Sequence, residues 1–148
     1  MIIFLDIDGV LHPLFPRRDR PPSESEPLAY LPRFSAVLRD FPSTKVVISS
    51  TWRVRRTLDE LRSLFPQDLQ AQIIGATPSF PDSRRPGGRE AEAMSWLDSH
   101  PEHKSWIALD DCAVCWFSMS KLIFCDDGFR SEEDAQLRCV ISYELLDS

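Results

Sequence analysis

No stretch of this 148-residue sequence approaches the ~20 apolar residues of a membrane span, and the first apolar run is cut at Asp6, too early for a signal-peptide core. The expectation is a cytoplasmic chain with no membrane partner. Positive charge is in short supply: 17 Lys and Arg face 23 Asp and Glu, a formal net charge of −6. That balance argues against a broad basic face for nucleic acid, although local arginine clusters remain. Cysteine is sparse, with Cys112, Cys115, Cys125 and Cys139 alone. The C-x-x-C from Cys112 to Cys115 lacks a second pair at metal-site spacing, so zinc is not expected and all four read as reduced, partly buried thiols. There is no internal repeat, no long low-complexity tract and no room for a second substrate domain. One domain over residues 1–148 with one core is expected.

What the sequence does have is alternation. Buried-strand patterns at Ile2 to Ile7, Lys45 to Ser50, Ile73 to Thr77, Ser105 to Asp110 and Lys121 to Asp126 are separated by amphipathic helical patterns. Leu31, Phe34, Val37, Leu38 and Phe41 share one helical face, and Val54, Leu58, Leu61, Leu64 and Phe65 share another, with Pro42 and Pro66 as stops. A third helix opens near Arg89 and turns Ala93, Trp96 and Leu97 inward. Ser131 with Asp134 reads as a capping box opening a last helix through Leu137, Val140, Ile141 and Leu145. The pattern predicts an α/β, Rossmann-like, doubly wound parallel sheet covered on both faces.

Two segments rich in proline and arginine interrupt the alternation: HPLFPRRDRPPSESEP after the first strand and TPSFPDSRRPGGR after the third. Each leaves the carboxyl end of a strand, where open α/β sheets bind ligands. The first, at about residues 11–28, reads as a flap.

The chemistry gathers at the same strand ends. Asp6 and Asp8 close the first strand, Ser49, Ser50 and Thr51 the second, Asp110 and Asp111 the fourth. Like charges at the end of a buried strand need a cation or donors to compensate them. Several acids converging on one edge make an oxygen-rich site suited to Mg²⁺.

The ordered set DIDGVL, VVISS and WIALDD resembles the first, second and fourth motifs of the haloacid dehalogenase-like (HAD) phosphatases. Together with SSTWR, and with GGREAEAMSWL ahead of WIALDD, it is similar more narrowly to the small HAD domains found in Swiss Army Knife RNA repair proteins. The resemblance implies a HAD-like fold with little or no cap, and a Mg²⁺-dependent phosphomonoester hydrolase that works through an aspartyl-phosphate. It implies Asp6 as nucleophile and Asp8 as general acid, then base. Mg²⁺ would be held by Asp6, the backbone carbonyl of Asp8, and Asp110 or Asp111. It implies a phosphate-binding hydroxyl, for which the spacing to tryptophan favours Ser50 while the strand pattern also permits Ser49. It also implies a cation, for which Arg89 is best placed, with Arg84, Arg85 and Lys104 as alternatives. Gly9, Ser49, Thr51 and Arg53 are the expected substrate contacts.

The substrate stays open at this stage between a phosphorylated small molecule and a phosphorylated nucleic-acid end. Arg17, Arg18 and Arg20 of the flap, with Arg53, Arg55 and Arg56, are candidates to grip a phosphate backbone. A non-catalytic binding module is the third reading, against which stands the intact set of acids. His12, Trp52, Asp126 and Asp127 lie near the expected pocket with no role fixed by sequence.

Overall fold

A computed structural model describes residues Met1–Ser148. Its centre is a five-stranded, all-parallel sheet in the order β3-β2-β1-β4-β5. The strands are β1 (Ile2–Leu5), β2 (Lys45–Ile48), β3 (Ile73–Ala76), β4 (Trp106–Asp110) and β5 (Leu122–Phe124). The central strand, Ile-Ile-Phe-Leu, is buried along its whole length, as expected for a strand covered on both faces. Four helices flank the sheet: α1 (Leu31–Asp40), α2 (Leu58–Arg62), α3 (Gly88–Asp98) and α4 (Ser131–Asp147).

Side chains alternate across the sheet, so Ile3 and Leu5 pack with Phe34, Leu38, Leu61, Leu137 and Ile141 from α1, α2 and α4. Ile2 and Phe4 face the other way, into a smaller cluster with Ala93 and Trp96 of α3 and with Trp106 and Trp116. Helix α3 thus covers one face with few other elements beside it, and Asp6 continues the Ile2–Phe4 face toward that helix.

Several local expectations give way. The helix foreseen from Val54 to Phe65 is a 3₁₀ turn at Thr51–Val54 followed by the short α2, and Val54 is exposed. The reason is a capping box in mid-pattern: Thr57 Oγ1 accepts from the Glu60 amide and Glu60 Oε1 from the Thr57 amide, which starts a new helix there. At α4 the cap sits one residue earlier than Ser131: Glu133 reaches back to the Arg130 amide. Leu145 lies beyond the last turn that meets the sheet and is half exposed. Cys112 and Cys115 are not free thiols but a disulfide, since the 3₁₀ turn at Ala113–Cys115 brings their Cα atoms to 5.5 Å. Cys125 and Cys139 remain free. No helix is long and apolar enough to cross a membrane.

Candidate active site

Strands β1, β2, β3 and β5 end one or two residues earlier than the sequence pattern suggests, so Asp6, Ser49 and Thr77 stand one step past the last ladder pairs, while β4 ends at Asp110 as expected. Leu5 is in register with Ile48 and Leu109, and Ile48 with Ala76. The next residues continue the row: the Ser49 amide donates to Leu5 O at 2.9 Å, the Asp6 amide to Leu109 O at 3.0 Å and the Thr77 amide to Ile48 O at 2.9 Å. Parallel neighbours in register share a face. Thr77, Ser49, Asp6 and Asp110 therefore form one buried polar row above the apolar layer of Phe4, Val47 and Ala108.

Helix α3 supplies the counter-charge. Gly87 enters it with φ 70°, a conformation glycine adopts without strain, and the second residue of the helix is Arg89. Arg89 is 1 % exposed, and its Nη1 lies 3.1 Å from Asp6 Oδ1 and 2.9 Å from Asp110 Oδ2. Of the alternatives, Arg84 and Arg85 are exposed on the preceding loop, with the Arg84 charge near enough to act on Asp111, and Lys104 is exposed at the amino end of β4, the opposite end of the sheet from the site.

Asp6 Oδ1 also accepts from the Ile7 amide at 2.9 Å, so both donors hold one oxygen and Oδ2 has no donor. Burial pushes the Asp6 carboxyl well above the usual carboxylate range; the nearby charge of Asp110 adds to this and Arg89 opposes it. Asp110 is held on every side: Oδ2 accepts from Arg89 and from Trp116 Nε1 at 3.0 Å, and Oδ1 from the Cys112 amide at 2.9 Å. Asp111 is different. Its Oδ1 is buried without a partner, and burial raises its carboxyl too. One oxygen from each of Asp6, Asp110 and Asp111 can be chosen so that all lie within 4.8 Å of one another. Gly9 makes this possible, because at φ 79° it needs no side chain and a Cβ there would overlap the Asp111 carboxylate. Three crowded acid side chains, one with an orphaned buried oxygen, fit a hard cation such as Mg²⁺. The Asp8 carboxylate stands outside this cluster, accepting from His12 Nε2 at 2.8 Å and from Trp52 Nε1 at 3.0 Å.

The two candidate hydroxyls, Ser49 and Ser50, sit in different surroundings. Ser49 Oγ is buried, unpartnered and in the row with Asp6, whereas Ser50 Oγ caps the following 3₁₀ turn by accepting from the Trp52 amide at 3.2 Å. Thr51 is exposed and lines a cleft of about 430 Å³ with Trp52, Val54, Arg55 and Arg56. Arg53 has no donor left for a substrate. Its five N–H groups meet Thr77 O, Ser49 O, Ser50 O, Pro78 O and Glu92 Oε2. It braces the ends of β2 and β3 from beneath.

Two of the three flap arginines are likewise engaged. Arg17 donates to Asp127 Oδ2 at 2.7 Å and to Asp19, and Arg20 to Tyr30 Oη and Asp127 O, both at 2.9 Å. The Leu14 amide adds a bond to Asp127 Oδ1 at 2.7 Å. Asp127 is thus a latch for the flap, and a 230 Å³ cleft lined by Leu14, Phe15 and Asp111 opens beside it. Sequence reasoning passed over Glu92 and Trp116. Glu92 had a signal, since it lies three residues after Arg89 on the same helical face. Trp116 had only the general need of a buried indole N–H for an acceptor.

A family model described as HAD domain in Swiss Army Knife RNA repair proteins matches residues 2–133. No curated protein and no solved structure matches the chain.

Proposed function

Because this chain belongs to the family of HAD domains in Swiss Army Knife RNA repair proteins, we propose that it is a Mg²⁺-dependent phosphomonoester hydrolase acting through an aspartyl-phosphate on Asp6. The observation that supports the reading is the register row, in which Asp6 stands beside Ser49 with its unpartnered hydroxyl, together with the buried Arg89 guanidinium of α3 against Asp6.

In this reading Asp6 Oδ2 attacks phosphorus in line with the leaving oxygen, while Oδ1 stays pinned by Arg89 and the Ile7 amide. Ser49 Oγ donates to a phosphoryl oxygen. Arg89 holds the attacking carboxylate in place and offsets negative charge beneath the reacting centre. Asp8 gives its proton to the departing alkoxide, then takes one from the water that cleaves the acyl phosphate and frees Asp6. Mg²⁺, held by Asp6, Asp111 and the Asp110 side, would supply the charge that lets an anionic carboxylate meet an anionic phosphate.

A phosphorylated RNA end is the substrate class suggested by the name of the family. The cleft next to the site supports it, since its Trp52 bonds Asp8, Arg56 stacks over Trp52 at 4.1 Å and Arg55 lines the same wall. The test is a hydrolysis screen of phosphorylated metabolites and of 5′- and 3′-phosphorylated oligonucleotides, with Mg²⁺ present or chelated and with Asp6→Asn as control. Mg²⁺-dependent phosphate release absent from Asp6→Asn supports the reading; release that survives chelation or the substitution overturns it.

A further inference from the structure

Resting on the phosphatase reading, we propose that His12 is the positioning residue for Asp8, and that the flap fixes which nitrogen of His12 does the work. The argument starts from a backbone amide. The Leu28 N–H points at His12 Nδ1 at 3.0 Å. An amide can only donate, so Nδ1 is an acceptor without a hydrogen, and the neutral ring carries its proton on Nε2. Nε2 lies 2.8 Å from Asp8 Oδ1. The chain of donation therefore runs in one direction, from the Leu28 amide to His12 and from His12 to Asp8.

Asp8 needs such an orienter. Its side chain is 41 % exposed, open to the face where a leaving group would depart, while that of His12 is 14 % exposed. A lone carboxylate at that exposure would sample several rotamers. Here His12 holds one oxygen and Trp52 Nε1 the other at 3.0 Å, fixing the plane of the carboxylate and leaving its remaining lone pairs toward the site. Leu28 closes the flap in the left-handed region, with φ 57°, where a non-glycine side chain is disfavoured. That conformation aims its amide at His12. The arrangement repeats the logic of an oriented acid–base group, with histidine as orienter and aspartate as the acid–base.

Two near-isosteric substitutions separate the bonds. Asn places its amide oxygen near the position of Nδ1 and keeps an acceptor for Leu28, but does not reach Asp8. Gln places its amide nitrogen near Nε2 and keeps the donor to Asp8. Steady-state kinetics of the full chain with Mg²⁺ would compare glycerol 2-phosphate, whose alkoxide needs a proton, with p-nitrophenyl phosphate, whose phenolate leaves without one. For His12→Asn, kcat/KM on glycerol 2-phosphate should fall about 10- to 100-fold, less than the roughly 100- to 10,000-fold of general acid catalysis as a whole because Asp8 is still present, against about threefold or less on the aryl ester. His12→Gln should stay within about threefold of the parent on both. Equal losses on the two esters, or a His12→Gln variant as impaired as His12→Asn, would reduce His12 to a packing residue and overturn the proposal. Long-range ¹H–¹⁵N NMR of the parent gives a readout free of turnover. The Nε2–H tautomer is expected, and an Nδ1–H tautomer overturns the dyad at any level of activity. A parent with the Nε2–H tautomer that hydrolyses no phosphomonoester overturns the phosphatase reading, and the catalytic role of His12 with it.

Discussion

Arg89 and Asp110 are joined in the interior of the protein, Nη1 to Oδ2 at 2.9 Å, with side chains 1 % and 0 % exposed. The same nitrogen reaches Asp6, so a single guanidinium compensates two buried acids. Removing one partner of such a group strands the others without water or counter-charge. Arg89→Met should therefore destabilise the metal-free chain by about 3–5 kcal/mol, the usual cost of an uncompensated buried charge. Urea unfolding in chelator measures it. A loss under about 1 kcal/mol would mean that Asp6 and Asp110 have other compensation.

The raised carboxyl of Asp6 sets a pH dependence with a definite sign. In the unfolded chain this group loses its proton around its ordinary value of 3.8, whereas in the metal-free fold it keeps it to higher pH. Above 3.8 the native state thus binds more protons than the unfolded one, and this contribution to stability is lost as pH rises through the folded pKa. Asp6→Asn removes the ionisation with little change of shape. Its melting temperature in chelator should exceed the parent's by a margin that grows from pH 4 toward pH 7. A constant or shrinking margin would contradict the burial assigned to Asp6.

Cation binding should run the other way. Mg²⁺ competes with the protons of Asp6 and Asp111, both raised by burial, so the stabilisation it gives should increase with pH. At 100 times its dissociation constant the gain is about 2.7 kcal/mol. Asp111→Asn should abolish most of that gain. Thermal shifts at two pH values, parent against variant, test both statements, and an undiminished Mg²⁺ effect in Asp111→Asn would take Asp111 out of the cation site.

Ser49 and Ser50 offer a contrast between chemistry and structure. Ser49→Ala removes an unpartnered hydroxyl from the row with Asp6, and should lower turnover by about two to three orders of magnitude, what one oxyanion-type donor contributes, at little cost in stability. Ser50→Ala removes a cap and should lower stability by about 1 kcal/mol. Kinetics and melting curves on both variants decide it, and the reverse pattern would return the phosphate contact to Ser50.

These contrasts mark where the sequence was legible. The five strands and their parallel sense follow from period and composition, because a strand buried on both faces has few alternatives. Asp6, Asp110 and Asp111 could be brought together from strand ends alone. The surroundings of Arg53 and Ser50 could not be read, because apart from Glu92 their partners are main-chain carbonyls and amides, which leave no trace in side-chain type. The pairing of Cys112 with Cys115 turned on a 3₁₀ turn too short to have a period. Asp127 was hidden by distance: its partners Leu14 and Arg17 lie 113 and 110 residues away, and no local pattern encodes so remote a contact.

That latch leads to the last prediction. With Arg17 and Arg20 both bonded to Asp127, and Arg20 also to Tyr30, these two arginines hold the flap closed, and Arg18 alone of the three makes no bond or ion pair within the protein. Asp127→Ala should release the segment. Amide hydrogen exchange over residues 13–27 should accelerate, and KM should rise by a similar factor on an aryl phosphate and on a phosphorylated oligonucleotide, because a loosened flap serves both alike. Arg18→Ser, by contrast, should leave the aryl phosphate untouched and act on the oligonucleotide only if a polynucleotide passes over the flap, where it would also flatten the salt dependence by about one counterion. Unchanged exchange in Asp127→Ala would sink the latch. A loss confined to the oligonucleotide in Asp127→Ala would mean instead that the Arg17 and Arg20 side chains meet nucleic acid directly.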